Sequence, residues 1–551
     1  MIRLALIALV AAIGQTSQPA AVRRIHGVID RSETWSGTIV ITDDVSIEQG
    51  DVTVEPGTII EFAKAQPPGP VLKVGSGKPN SGRLGFRYGG GGPVIFRTRA
   101  GCSPGRIVID LFSRGGLTRR PDGTIATQGG SIQQDSLDWR GLRFEDIGVK
   151  ETESTSRPPA PAIQIIAHGS PHEIKLGGCK FIRTAPLKMI TEGEPTIQIE
   201  SCEFSGSNHR VALWLVDMVK ASTGRIRVRN NQLDAGIQVN TSEARIEGNI
   251  LIGRNACLSI GECGESKIRV RGNYFHNTST FDEGKYCLRC EVPGALIFEN
   301  VFRGGAYVVY KGSRYMHGNI LIGEEKPSGM GAEAGRTQAL VAQLPAGAIF
   351  ERNILIGPAS SMLAPQPSRT KETPIEDPKT IIRNNTFDGV RRSPRAIHLG
   401  EVGRAPATFE IYNNLFFRVE CMLFDERASK TEVALCDFNA TAPEPPKRYE
   451  RATVGGKKDA DLTWGKSDVR RHTIGEIGLL SLRDPLPDFD SNVLGRKITV
   501  EQVLQQIGAY YRPAENSPLV RAGRHADGSK ILRESIGACE PDSQIPQPAK
   551  P

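Results

Sequence analysis

The sequence predicts an all-β protein built as a parallel β-solenoid, in which short strands wind in successive coils around a narrow core. The segment NILIG occurs three times, starting at Asn249, Asn319 and Asn353. The 551 residues also include 60 glycines and 36 prolines, a composition typical of a chain with many turns and few long helices. The spacing and surroundings of the NILIG copies indicate which repeat they belong to.

NILIG is the most regular form of a longer repeat. With its Asn as position zero, all ten related segments have an apolar residue three positions earlier and Phe or Leu two positions later. The ten zero positions are Cys179, Cys202, Asn231, Asn249, Asn273, Asn300, Asn319, Asn353, Asn385 and Asn414. The residue just before zero is Gly or Asn in seven segments, and these residues tolerate a left-handed backbone.

The intervals between zero positions vary from 18 to 34 residues. Helical repeats cannot absorb such variation, because each helix needs a fixed length, whereas a solenoid varies only its loops. With coils about 4.8 Å apart, ten coils form a rod of about 50 Å. We expect the asparagines to point inward at a bend and to hydrogen-bond one another as a ladder, with Leu and Phe filling the core.

These repeats resemble the right-handed parallel β-helix superfamily, the pectin-lyase-like fold, over roughly residues 36–440. Gly37–Phe62 looks like its opening coils, and Leu137–Asp146 looks like the Trp-Gly-Ile strand that often follows. Ser517–Glu540 is similar to the closing segment of secreted bacterial β-helix repeat proteins. The resemblance implies a right-handed parallel β-helix. This fold carries lyases, hydrolases, epimerases, adhesins and spacers, so it does not by itself imply an activity.

Four regions are expected along the chain. They are a signal peptide at 1–21, an N-terminal cap with the first coils at 22–150, a central β-helix at 151–440, and C-terminal coils with a capping helix and a disordered tail at 441–551. The apolar run Leu4–Ile13 follows Arg3 and is too short to span a membrane. We therefore expect a secreted or periplasmic protein without membrane insertion.

One short helix is predicted near the C-terminus, in TVEQVLQQIGAYY. Thr499 and Gln502 fit a capping box at its start. Its apolar face comprises Val500, Val503, Leu504 and Ile507. We expect this helix to cover an open end of the sheet and so to block edge-to-edge aggregation.

Five arginines occupy outward positions on the strand before the bend, namely Arg227, Arg229, Arg245, Arg269 and Arg271. Equal offsets stack in a solenoid, so these side chains predict a basic ridge whose guanidinium groups bind the carboxylates or sulfates of an acidic polysaccharide. The alternative is a solvated strand face balanced by Glu200 and Glu247. The net charge of +8 is modest for this length, and no nucleic-acid partner is expected.

A further strand carries a second candidate site. Its aligned segments begin at Leu213, Ile237, Cys257, Cys287, Tyr307, Ala396 and Cys421, and we predict that they bury their second and fourth residues. Arg289 and His398 then point outward, and with Lys311 and Arg314 they are our candidates for acid–base catalysis. Glu262, Glu291 and Asp282 are candidate ligands of calcium, the one cofactor considered. The alternative is that these strand-end charges only keep the surface soluble.

The cysteines leave two interpretations open. Cys257, Cys263, Cys287 and Cys290 have a spacing found in zinc sites. Export and the alignment of Cys257 with Cys287 in neighbouring coils favour disulfides or stacked thiols. Cys179 and Cys202 are also expected to be buried neighbours.

The sequence thus predicts a secreted β-helix protein that engages extracellular polysaccharide. As an enzyme it would be a polyuronate lyase or a glycoside hydrolase. The alternative is a non-catalytic surface or structural protein.

Overall fold

The computed structural model describes most of the chain. The described residues are 22–76, 81–112, 117–119, 125–127, 136–148, 161–168, 173–184, 186–191, 196–206, 211–217, 225–253, 257–261, 267–278, 287–290, 292, 294–303, 306–307, 315–323, 340–345, 347–358, 361–366, 379–389, 395–399, 408–425, 432–443, 447–451, 464–479, 486–525 and 534–539. The expected signal peptide and the tail after residue 539 lie outside these ranges.

The strands form a right-handed parallel β-helix with three strands in each complete coil. A 12-stranded parallel sheet, here the first stack, comprises Ser136–Arg140, Glu173–Gly177, Thr196–Glu200, Arg225–Arg229, Glu243–Glu247, Lys267–Arg271, Leu296–Phe298, Tyr315–His317, Ile349–Glu351, Lys379–Arg383, Thr408–Tyr412 and Glu432–Asp437. A three-stranded parallel sheet belongs to the opening coils and comprises Glu33–Trp35, Asp51–Val54 and Arg83–Phe86.

A 31-stranded sheet holds the other two stacks. The second stack comprises Ile59–Phe62, Ile95–Thr98, Arg143–Glu145, Lys180–Ile182, Glu203–Ser205, Gln232–Leu233, Ile250–Gly253, Tyr274–Asn277, Val301–Arg303, Ile320–Ile322, Ile354–Ile356, Thr386–Asp388, Leu415–Phe417, Ala440–Ala442 and Val469–Arg470. The third stack comprises Val71–Val74, Arg106–Phe112, Ile163–His168, Leu187–Thr191, Val211–Asp217, Gly236–Asn240, Leu258–Ile260, Leu288–Cys290, Ala306–Tyr307, Leu340–Pro345, Ser361–Gln366, Arg395–Leu399, Cys421–Asp425 and Lys447–Arg451.

The long strand Thr38–Ile47 joins these two stacks into one sheet. It pairs with Ile59–Phe62 through its first half and with Val71–Val74 through its second. Val22–Ile29 pairs along its other side. Apart from these parallel strands, Leu117–Arg119 and Ile125–Thr127 form a short antiparallel pair.

A single left-handed residue turns the chain from the first stack into the second. Asn230 has φ 55°, and Gly272 has φ 62°. Ser201, Glu299 and Arg352 adopt the same conformation although they lack the preference of Gly or Asn for it. The bend directs the zero-position side chain of each coil into the core.

The predicted asparagine ladder is confirmed. The backbone N–H and Nδ2 of Asn319 both donate to Oδ1 of Asn353, over 2.9 and 3.0 Å. The same pair of hydrogen bonds recurs at each step from Asn231 to Asn414. The ladder also has one more rung than predicted, because Asn414 donates to Oδ1 of Asn439.

Phenylalanines two residues after the ladder position stack in the core, as predicted. Ring centroids lie 4.9 Å apart between Phe144 and Phe181, and 4.4 Å apart between Phe181 and Phe204. Phe387 and Phe416 stack in the same way at 5.0 Å. Parallel strands place identical offsets above one another, so each ring packs against the ring of the next coil.

The predicted helix is Val500–Tyr510, preceded by the short helix Asp490–Leu494 and a 3₁₀ turn at Ile474–Ile477. The capping box is present, since the N–H of Gln502 donates to Thr499 Oγ1 over 3.2 Å. No helix within the described ranges has the length and apolar character needed to cross a membrane.

The predicted position of this helix was wrong. Its buried residues pack on the outer face of the second stack, not on an open end of the sheet. The strand residues that it covers are Tyr274, Val301, Ile320, Ile354 and Ile356. These outward positions are apolar, and the side of the rod therefore offers the helix a larger apolar surface over several coils.

Candidate functional site

Three arginines stack in register on the outer face of the first stack. Arg227 lies opposite Arg245, and Arg245 lies opposite Arg269. The intervening Ile226 and Val228 are buried, so strand alternation turns the arginines outward. These three residues are called the arginine column below.

The two other predicted arginines are ion-paired. The Arg229 guanidinium lies 3.6 Å from Glu200 and 3.4 Å from Glu247. Arg271 lies 2.7 Å from Glu299. The positive charges of Arg229 and Arg271 are thus balanced by glutamates, as expected for a solvated strand face.

The arginine column differs from that row. Within the described part of the chain, none of its three guanidinium groups forms an ion pair or hydrogen bond. Arg245 and Arg269 are exposed, and Arg227 is half-buried. The strands that carry these like charges lie about 4.8 Å apart, so the three side chains repel one another and make this face locally positive. A bound anion would relieve that repulsion.

The same stack carries a polar cluster that the sequence analysis missed. Tyr315 Oη lies 3.2 Å from His317 Nδ1 and 3.4 Å from Glu351 Oε2. Arg383 donates to the same Glu351 oxygen over 3.0 Å. His317, Glu351 and Arg383 each lie two residues before a ladder asparagine, and this shared offset is the signal that could have revealed them.

Arg289 and His398 both point outward from the third stack, but the structure does not bring them together. The column between them runs through Tyr307, Gln343 and Ala364. Four coil steps separate the two candidates by about 19 Å. Arg289 is exposed, and the His398 ring lies edge-on to Phe424 at 5.0 Å.

The predicted alternation on this stack was wrong by one residue in the strands that begin at Leu213 and Ile237. It was also wrong at Phe424, which is in register with the outward His398. Leu213 and Leu215 face the core, and Trp214 lies on the outer face. Ile237 pairs with Leu258, so Ile237 also faces inward. At Leu213 the error arose because Leu213 and Trp214 are both apolar, so the pattern does not distinguish the two faces. At Ile237 it arose because Ile237 is in register with Leu258 and not with Cys257.

Lys311, Arg314, Glu262, Glu291 and Asp282 lie outside the described residues. Within those that are described, no group of three or more His, Cys, Asp or Glu side chains could hold a metal ion. A calcium site built on the predicted acids therefore stays a prediction.

The cysteine pairs lie in neighbouring coils, as predicted. The N–H of Leu258 donates to the carbonyl of Cys287 over 2.9 Å, and the N–H of Ile237 donates to that of Cys257 over 2.8 Å. Cys179 and Cys202 are both buried, and the hydrogen bond between their side chains lowers the pKa of Cys179 and raises that of Cys202. The described cysteines are free thiols, and Cys263 lies outside the described ranges.

Comparison with known proteins adds the following. No protein-family model matches the sequence, and no curated protein matches it. Among solved structures, the crystal structure of pectate lyase Pel9A is similar, with a TM-score of 0.24 and 12% sequence identity over 90% of this chain and 88% of that one. So low a TM-score supports no transfer of activity. The strand pairings themselves establish that this chain is a parallel β-helix.

Proposed function

We propose that this protein binds a linear acidic polysaccharide along the arginine column, outside the cytoplasm. The observation that carries the proposal is the stack of Arg227, Arg245 and Arg269, which lack ion-pair partners among the described residues. Guanidinium groups bind carboxylates and sulfates through paired hydrogen bonds. A regular row of such groups fits a regular row of anions.

The geometry favours a polyuronate. One coil step of about 4.8 Å is comparable to the length of one sugar ring, so successive arginines can meet successive carboxylates. The ion-paired Arg229 and Arg271 border the column on the bend side. Their positive charges are balanced by Glu200, Glu247 and Glu299.

Two roles follow from such binding. In the first, the protein is a polyuronate lyase or a glycoside hydrolase whose arginine column holds the substrate. In the second, it is a non-catalytic surface or structural protein that attaches to the polymer. Release of unsaturated or reducing sugars from the bound polymer distinguishes the first role from the second.

Affinity electrophoresis through gels that contain polygalacturonate, alginate or neutral dextran tests the proposal. We expect retardation in the acidic gels alone, weakened by salt because exposed charges are screened. Replacing all three column arginines with Gln should weaken binding about tenfold to a hundredfold, since each exposed ion pair contributes up to about 1 kcal/mol.

A matched triple variant controls for net charge. Arg87, Arg140 and Arg183 are exposed but lie 2.7 Å from Glu55, Asp138 and Asp146, respectively. Replacing these three with Gln removes the same charge and should leave retardation nearly unchanged. Equal losses in the two triple variants would show that binding depends on net charge and not on the column.

A further inference from the structure

The polar cluster of Tyr315, His317, Glu351 and Arg383 lies on the same face as the arginine column. Arg269 is in register with Leu296, which is in register with Tyr315. The cluster thus begins two coil steps, about 10 Å, beyond the column. A polymer that follows the column along the rod arrives over Tyr315, and His317 lies beside it in the adjacent row on the bend side.

The hydrogen bonds in the cluster suit one assignment of its protons. Glu351 is 8% exposed and is bonded by Arg383 over 3.0 Å, so its carboxylate accepts hydrogen bonds and donates none. Tyr315 therefore donates its hydroxyl proton to Glu351 Oε2. Its oxygen is then left to accept the proton of His317 Nδ1–H.

This arrangement leaves Nε2 of His317 as the unprotonated ring nitrogen. Nε2 forms no hydrogen bond with a described residue, and His317 is half-buried, so its side chain is partly open to solvent. In many enzymes, one ring nitrogen of a general-base histidine donates a hydrogen bond that orients the ring, and the other ring nitrogen accepts the proton from the substrate.

The protonation states agree with this assignment. Burial lowers the pKa of His317, which keeps its imidazole neutral at neutral pH. Burial and the neighbouring Glu351 raise the pKa of Tyr315, which therefore keeps its proton as a donor. Arg352, which lies 3.9 Å from Glu351, also lowers the pKa of His317 through its positive charge.

We propose that His317 is the general base that removes the proton beside the carboxylate of a bound polyuronate, with Tyr315 and Glu351 as positioning residues. This inference rests on the proposed binding along the arginine column. The reaction that we propose is β-elimination, and side chains of the first stack carry it out.

The step balances without a co-reactant. The C5–H bond of the uronate breaks, and its proton moves to Nε2. The electron pair of that bond forms the C4–C5 double bond as the bond from C4 to the glycosidic oxygen breaks. The imidazolium then gives its proton to the departing oxygen, which restores neutral His317.

The test uses the full chain with polygalacturonate, polymannuronate, polyguluronate and polyglucuronate. Ultraviolet absorbance reports the unsaturated product, and NMR identifies its C4–C5 double bond. His317→Gln should lower the rate of product formation by about 10² to 10⁴-fold while polymer binding is kept. Tyr315→Phe should retain part of the activity and shift its pH profile, an effect that a purely structural role would not produce.

His472→Gln is the matched control, since His472 is exposed and lies outside both the column and the cluster, and it should keep the wild-type rate. Thermal unfolding of each variant establishes that it is folded. Binding without an unsaturated product on all four polymers overturns this inference and leaves the binding proposal intact. A wild-type rate in the His317 variant also overturns it, and absence of binding to every polymer overturns both proposals.

Discussion

The backbone N–H of Asn439 donates to Oδ1 of Asp468 over 2.9 Å, so a carboxylate ends the asparagine ladder. The other oxygen of Asp468 accepts the N–H of Gly465 over 2.8 Å and lies 3.3 Å from Arg448. Burial raises the pKa of Asp468. At the opposite end of the ladder, the N–H of Cys202 donates to Oδ1 of Asn231 over 2.8 Å. Both ends of the buried amide row are thus satisfied by groups of the chain.

Asn319→Leu should destabilise the protein by about 3 kcal/mol. The change removes the acceptor of two donors on Asn300 and one of the donors to Asn353, and each buried unsatisfied group costs about 1–3 kcal/mol. Chemical denaturation measures the loss. Asn516→Leu, at an exposed position, is the control and should change stability by less than about 0.5 kcal/mol. Equal stability of the two variants would contradict the inward orientation of Asn319.

Gly253→Ala should destabilise the protein more than Gly272→Ala. A Cβ at Gly253 would lie 2.0 Å from the carbonyl oxygen of Asp234, so the backbone must move. At Gly272 the nearest atom is 4.0 Å away, and the cost is the left-handed conformation alone, about 1–2 kcal/mol. Denaturation midpoints of the two variants rank these costs. The reverse order would mean that close packing at the end of NILIG is not what requires glycine.

Asp490→Asn should weaken the attachment of the C-terminal helices to the second stack. Burial acts to raise the pKa of Asp490, but hydrogen bonds from His276 and Tyr274 lower it further than burial raises it. A lowered pKa gives stability that is present above the ordinary value of 3.8 and lost as pH falls through the folded value. Thermal unfolding should therefore show a loss of about 1.5–3 kcal/mol at neutral pH, shrinking in strong acid. A difference between variant and wild type that does not change with pH would contradict this role.

Most of the fold could be predicted because one anchor repeats at every coil. The first two stacks can be located from one motif. It consists of an inward Asn, an apolar residue three positions before it and Phe or Leu two positions after it. Asn439 escaped the pattern because Thr441 stands where the other coils have Phe or Leu. The third stack has no such anchor, so its alternation was misassigned at Leu213. The helix position could not be predicted, since it depends on which outward strand residues happen to be apolar.

The candidate site was predictable in part for the same reason. The arginines share a fixed offset from the ladder, which is why their stacking could be foreseen. Their separation into a paired row and an unpaired column depends on side-chain geometry that offsets do not encode. Tyr315 and Glu351 meet across 36 residues of sequence with no shared residue type. Only an alignment of offsets, applied to polar residues as well as arginines, would have brought them together.

The binding of uronate oligomers of increasing length shows most directly whether the polymer lies along the arginine column. If the polymer lies along the arginine column, affinity should rise with each added sugar until the oligomer spans two coil steps, about 10 Å, and then level off. Isothermal titration of the wild type and of the triple Gln variant at Arg227, Arg245 and Arg269 gives both curves. We expect a rising curve for the wild type and a flat, weak one for the variant. Affinity that is independent of length, or identical curves for the two proteins, would contradict it.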